Sequence, residues 1–158
     1  MTTISYSKIY TFILFFLVSF SAIQAQDYSF SVGARIGSER GLTIKHVYDS
    51  PIATEGMLVH HKDGIHLIGL AEYQFSLGRH SDSYLFFGLG GHVGYQDLLS
   101  ESKSPVPMAG VDGILGFEYV FPNAPLVFSI DMKPQLELLG GIQPSGNHAA
   151  VTLRYILN

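Results

Sequence analysis

Charged residues recur at every second position in several segments of the chain. Between Leu126 and Leu138, Asp131 and Lys133 share one parity with polar residues, and the other parity is apolar. Side chains of one parity lie on one face of a β-strand. Charges of both signs facing a closed interior can form ion pairs or line a conducting pore. The charged residues predicted to face such an interior are Arg35, Lys45, Glu72, Asp112, Glu118, Asp131, Lys133, Glu137 and Arg154.

Histidines supply a second candidate chemistry, because imidazole is a common zinc ligand. His60, His61 and His66 flank a Lys-Asp-Gly turn, and adjacent strands could bring one of the first two near the third. However, the chain has no Cys to support a metal site, and consecutive His60 and His61 point to opposite faces of a strand. We therefore predict polar residues near a turn and no metal site.

An enzyme needs a nucleophile, a base and an orienting group, which Ser145, His148 and Glu137 could supply. Their spacing matches no triad signature, and Ser145 lies in a Pro-Ser-Gly sequence that is typical of a turn. The glycine-rich segments 88–94 and 110–116 lack the Lys-Ser/Thr of a phosphate loop. We predict no catalytic residue, no cofactor and no enzymatic activity.

The first 25 residues have the three regions of a secretory signal. Lys8 precedes the apolar run from Ile9 to Phe20, and small residues follow as far as Ala25. The run is shorter than the roughly 20 residues of a membrane-spanning helix. We predict a signal peptide at residues 1–25 and a mature domain at residues 26–158.

The composition narrows the class of the mature domain. Only 14% of the residues are charged, the mean hydropathy is +0.25 and the net charge is −4. This composition is unusually apolar for a small soluble domain. The negative net charge gives no indication of a basic surface that would bind nucleic acid. The absence of Cys excludes disulfides.

Period-two alternation predicts strands rather than helices. Pro134 predicts a bulge or a strand end, and an eighth strand near Ala53–His61 has alternation too weak to assign its faces. The connections Gln96–Pro107 and Gly140–Asn147 are predicted to lie at the end of the barrel opposite the N-terminus. Seven segments alternate clearly: Tyr28–Ile36, Leu42–Tyr48, Ile65–Phe75, Leu85–Tyr95, Ala109–Phe121, Leu126–Leu138 and Ala149–Leu157.

The predicted fold is an all-β, antiparallel, up-and-down transmembrane barrel, with eight strands. The export signal, the aromatic residues near strand ends and the charges of the polar face favour an apolar face toward lipid. The alternative is a secreted or periplasmic soluble β-barrel that binds an apolar ligand and buries Phe128, Ile130 and Met132. The residues predicted to face lipid are Phe87, Leu115, Phe117, Phe128, Ile130, Met132, Leu153 and Tyr155.

The width of such a barrel decides between a pore and a packed interior. Eight strands leave a lumen just wide enough for side chains, and buried charges persist when they are paired. We therefore predict a salt-bridge network rather than a conducting channel.

A family resemblance is carried by the segments GLTIKHVYD, HLIGLAEYQF, GLGGHVGY, GVDGILGFEYVF, FSIDMKPQLELLGG and VTLRYIL. They resemble small outer-membrane β-barrel proteins of Gram-negative bacteria, of the OmpX and OmpA membrane-domain type. The resemblance implies an outer-membrane location, lipid as the surrounding partner, the barrel-assembly machinery during insertion, and a structural, adhesive or small-solute role. Some outer-membrane lipid hydrolases are also small barrels, which leaves such an enzyme, using Ser145 and His148, as a third interpretation. Such families end in an aromatic residue, whereas Leu157 takes that register here and Asn158 is extra.

Overall fold

The computed structural model describes residues 29–48, 51–61, 64–78, 82–97, 104–139 and 142–157. These residues form a single closed antiparallel barrel in which each strand pairs with the next and β1 pairs with β8. The predicted up-and-down, eight-stranded architecture is confirmed. The strands are β1 (Phe30–Gly37), β2 (Arg40–Val47), β3 (Ile52–His61), β4 (Gly64–Ser76), β5 (Ser83–Gln96), β6 (Val106–Val120), β7 (Leu126–Glu137) and β8 (Gln143–Ile156).

The strands alternate between a buried inward face and an outward face. The predicted strands all correspond to observed ones, although Tyr28, placed at the start of the first, lies outside the described residues. The strand whose faces the sequence did not assign is β3, which turns Ala53, Glu55, Met57 and Val59 inward. Its alternation is weak because most of these inward residues are as apolar as its outward ones. Among the described residues there is no helix with the length and apolarity to cross a membrane.

The β7–β8 connection is shorter than the predicted Gly140–Asn147. Strand β8 already begins at Gln143, and polar or glycine residues such as Asn147 pair with β7. Strand β7 continues through Pro134, which pairs with Asn147, so the strand does not end there. The pairing register shifts one pair further on, between Gln135 and Leu136, where Ser145 of β8 has no paired residue. Beside this shift, on the same strand, Gly146 has φ +131°, a conformation that side chains disfavour. Likewise, Gln96, Val106 and Pro107 belong to strands rather than to the β5–β6 connection.

The two ends of the barrel carry different connections. The described chain ends and the β2–β3, β4–β5 and β6–β7 connections share one end, which we call the terminal end. The β1–β2, β3–β4, β5–β6 and β7–β8 connections share the other, the distal end. The two connections predicted to lie opposite the N-terminus are therefore both distal.

Two apolar clusters lie inside the barrel. One includes Met57, Ile68 and Phe86, and a smaller one at the terminal end contains Val127 and Ile156. The sheet coils tightly around them, and glycine at position 90 permits this close approach. A Cβ added at Gly90 would collide with the carbonyl oxygen of Gly69 on the adjacent strand. Most of the remaining interior is polar.

Candidate functional site: the charged lumen

The residues predicted to form the lumen charge network are all buried inside the barrel. The most exposed of them is Glu137, at 8%. Every strand contributes a polar side chain to this interior, from Arg35 on β1 to Arg154 on β8. The structure adds two carboxylates that sequence reasoning did not include, Glu39 and Glu55.

A first group of charges centres on Glu118. Its Oε2 lies 2.9 Å from Lys45 Nζ and 3.0 Å from Arg154 Nη1. Lys45 Nζ also lies 2.7 Å from Glu72 Oε2, and Arg154 Nη2 lies 2.7 Å from Glu55 Oε1. These contacts join β2, β3, β4, β6 and β8 across the interior, so the group braces strands that are not neighbours in the sheet.

Neutral groups complete this arrangement. Gln74 donates a hydrogen bond of 3.0 Å to Glu118 Oε1, and the Thr43 hydroxyl donates to Glu55. The ammonium of Lys45 lies 4.4 Å from the centre of the Phe86 ring. This contact couples the charged group to the larger apolar cluster, because a cation is attracted to the face of an aromatic ring.

A second group joins β1 to β7. Arg35 donates hydrogen bonds of 2.6 and 2.7 Å to the two carboxylate oxygens of Asp131. Glu39, in the β1–β2 connection, folds into the lumen and lies 3.0 Å from Lys133 Nζ. Lys133 is also 3.7 Å from Asp112 Oδ1. Each cation therefore has a carboxylate partner, as buried charges require.

Histidines gather at the distal end of the lumen. His92 places Nδ1 2.9 Å from Asp112 Oδ2 and Nε2 3.1 Å from Glu137 Oε2. The His66 ring stacks on His92, with ring centres 5.6 Å apart and planes 15° apart. We call His61, His66, His92 and His148 the distal histidines.

His61 and His148 form the other half of this group. Their ring centres are 4.7 Å apart, in an edge-on contact. His61 Nδ1 lies 2.8 Å from the carbonyl oxygen of Ser38, and His148 Nδ1 lies 3.8 Å from Glu39 Oε1. In the part of the chain that the structure describes, no three His, Asp or Glu side chains converge where a metal ion could bind.

The three residues considered for catalysis do not form a described triad. His148 contacts Glu39 and His61, while Glu137 contacts His92 and the backbone N–H of Ala109. Ser145 belongs to β8 rather than to a turn, and its side chain lies outside what the structure describes.

The residues predicted to face lipid all lie on the outer surface. Leu115, Met132 and Ile130 are 61%, 54% and 50% exposed, and Phe87 and Leu153 are exposed to a similar degree. The other three are half-buried among outward neighbours: Phe117, Phe128 and Tyr155. An apolar ligand cavity lined by Phe128, Ile130 and Met132 is therefore not what the barrel contains.

The outer surface of the barrel is almost free of charged side chains, whereas soluble proteins usually carry their charges on the outside. Among the described strand positions, Arg40 at the start of β2 is the only outward-facing Lys, Arg, Asp or Glu. Outward aromatic side chains concentrate at the terminal end and contact one another, as Tyr73, Phe75 and Phe87 do. The terminal-end set is Phe30, Tyr48, Tyr73, Phe75, Phe87, Phe117, Tyr119, Phe121, Phe128 and Tyr155.

Glu39 and Glu55 could have been found from the sequence by extending parity. Glu39 continues the inward series of Ser31 and Arg35 into the β1–β2 connection. Glu55 is the single charge of its strand, and placing it inward assigns both faces of β3.

No protein-family model matches this chain, and no curated protein matches it.

Proposed function

We propose that the chain is an outer-membrane β-barrel protein whose packed lumen makes it a structural element of the membrane rather than an open pore. The observation that carries this proposal is the polarity of the barrel, with paired charges inside and an apolar outer surface. The export signal predicted at residues 1–25 is consistent with this location.

The outer surface supports a lipid environment. Leu89, Leu115 and Val93 are 75%, 61% and 56% exposed in the middle and distal parts of the strands. In water, so large an apolar area would favour aggregation. In a bilayer the same side chains contact acyl chains, and the aromatic residues at the terminal end form a girdle at one membrane interface.

The interior supports a filled lumen. Charged residues there pair across the barrel at distances of 2.6 to 3.0 Å, as in Arg35–Asp131 and Arg154–Glu118. Membrane barrels carry their polar residues inside, and eight strands leave room for side chains only. A soluble barrel for an apolar ligand would need the opposite arrangement.

The proposed partners follow from this location. Outer-membrane lipid surrounds the barrel, and the barrel-assembly machinery inserts it. The distal connections are the surface through which the barrel would meet an external partner. We propose no enzymatic activity for it.

Single tryptophans test the membrane placement, because the native chain has none. Leu89→Trp places the indole on the exposed outer surface, and Asn123→Trp places it in the exposed β6–β7 connection. The mature protein is refolded into vesicles made with brominated or ordinary lipid. We expect bromine to quench the emission of Leu89→Trp strongly and that of Asn123→Trp little.

Migration on a gel with and without boiling in detergent provides the folding control. A membrane barrel should change its mobility on boiling. If the mature protein stays in aqueous solution without detergent and Leu89→Trp is not quenched in vesicles, the outer-membrane proposal is wrong.

A further inference from the structure

His92 is held between two carboxylates in the distal lumen. Asp112 lies 2.9 Å from one ring nitrogen and Glu137 lies 3.1 Å from the other. A carboxylate accepts hydrogen bonds, so both ring nitrogens must donate, and only the charged imidazolium has two N–H groups. The geometry therefore fits a positively charged His92.

His66 lies directly against that charge. Its ring is nearly parallel to the His92 ring, 15° from it, with centres 5.6 Å apart. His66 is 5% exposed, and its Nδ1 is buried with no hydrogen-bond partner among the described residues. A proton on His66 would thus place a second buried cation within stacking distance of the first.

The other groups around His66 do not offset such a charge. Besides His92, the charged groups that act on it most strongly are Glu39, Lys133 and His61, and of these Glu39 is the anion. Glu39 already pairs with Lys133 at 3.0 Å and approaches Arg35 at 3.8 Å. The carboxylates of Asp112 and Glu137 already form ion pairs with His92.

His148 adds a second group of the same kind. It is 5% exposed and its Nδ1 also lacks a hydrogen-bond partner among the described residues. The groups that act on it most strongly are Glu39, Lys133, His61 and His66, so its protonation would add another cation beside the same anion, Glu39. The distal lumen can accept few further protons in its present packing.

We propose that the distal histidines form a pH-sensitive closure of the lumen, packed at neutral pH and loosened on acidification. This closure lies in the lumen of the proposed membrane barrel. The side chains whose repulsion opens it are the stacked rings of His66 and His92. Histidine is the side chain whose charge changes between about pH 5 and 8. On acidification, like charges push the His66 ring out of the stack toward the distal opening, and water enters as far as Gln135.

A single thiol reports this opening, because the native chain has no Cys. Gln135 is 5% exposed and donates a hydrogen bond of 2.6 Å to Asp112 Oδ1 within the distal lumen. The rate at which an uncharged maleimide labels Gln135→Cys is compared with the rate for Gln135→Cys/His66→Gln. Both are measured at about pH 7.5 and about pH 5, on either side of the histidine range.

Comparison at the same pH removes the pH dependence of thiol reactivity itself. We expect similar slow labelling of the two proteins at neutral pH. In acid, Gln135→Cys should be labelled severalfold faster than the protein that also carries His66→Gln. His46→Gln is the matched control, because His46 is half-buried on the outer face and contacts Tyr48. It should leave the acid labelling rate unchanged.

Equal acid rates with and without His66→Gln would overturn the proposal, as would an equal effect of His46→Gln. Heat-modifiable migration first establishes that each variant is folded. If His66→Gln does not fold, His148→Gln replaces it, with a smaller slowing of acid labelling expected, and no slowing overturns the proposal. The labelling assay works in vesicles or in water, so failure of bromolipid quenching rejects the membrane proposal separately.

Discussion

Arg35 on β1 and Asp131 on β7 form a two-point ion pair inside the barrel, with hydrogen bonds of 2.6 and 2.7 Å. The side chains of both residues have 0% exposed surface. Their strands are separated in the sheet by β8. The pair therefore fixes two strands that are not paired in the sheet relative to each other.

Breaking this pair should destabilise the barrel strongly. Asp131→Asn leaves the Arg35 guanidinium buried without its carboxylate, at a cost of about 3–5 kcal/mol in the free energy of unfolding. Urea titration of the refolded protein in vesicles measures this loss. The double variant Arg35→Met/Asp131→Leu should recover most of it, because no unpaired charge remains. An unchanged stability of Asp131→Asn would contradict the role given to the pair.

The Glu118 group and the carboxylate of Glu137 at the distal end should differ in their contribution to stability. Glu118→Gln removes the carboxylate shared by Lys45 and Arg154, and we expect a loss of about 3 kcal/mol or more. Glu137→Gln, at the distal end, retains a carbonyl acceptor for the Ala109 N–H and should cost about 1–2 kcal/mol. Urea midpoints of the two variants provide the comparison. The reverse order would show that the Glu118 group is not the main brace.

Two neighbouring glycines should respond oppositely to the same substitution. A Cβ at Gly90 collides with the backbone of β4, whereas a Cβ at Gly69 meets nothing within 4 Å. Gly90→Ala should therefore cost about 1–3 kcal/mol through overpacking. Gly69→Ala should leave the stability nearly unchanged or raise it slightly. The yield of heat-modifiable protein and its urea midpoint test both, and equal losses would contradict this placement of the two glycines.

A charge on the outer surface should separate a lipid-facing barrel from a water-facing one. Ile130 is 50% exposed and lies next to Asp131, which faces the lumen. In a bilayer, Ile130→Arg should cost up to about 2–4 kcal/mol, depending on its depth. Ile130→Ala is the control for loss of the side chain and should cost less. If Ile130→Arg matches Ile130→Ala in stability, that face does not contact hydrocarbon.

Alternation along each segment was enough to predict the strands, because side chains of a strand leave the sheet on alternate sides whatever the register. It also separated Asp131 and Lys133 from Ile130 and Met132 without any knowledge of neighbouring strands. It failed at β3, where Met57 and Val59 are inward yet apolar, and at the start of β8, where glycine and proline are typical of a turn.

The sequence by itself determined the strand count, the parity of nearly every strand and the presence of charges of both signs on one face. Which charges meet was decided only by the tertiary structure, because pairing depends on strand register and barrel closure. Arg35 reaches Asp131 across a sequence separation of 96 residues, and Glu39 enters the lumen from a connection. The stacking of His66 on His92 likewise depends on the register of β4 against β5, which no local pattern encodes.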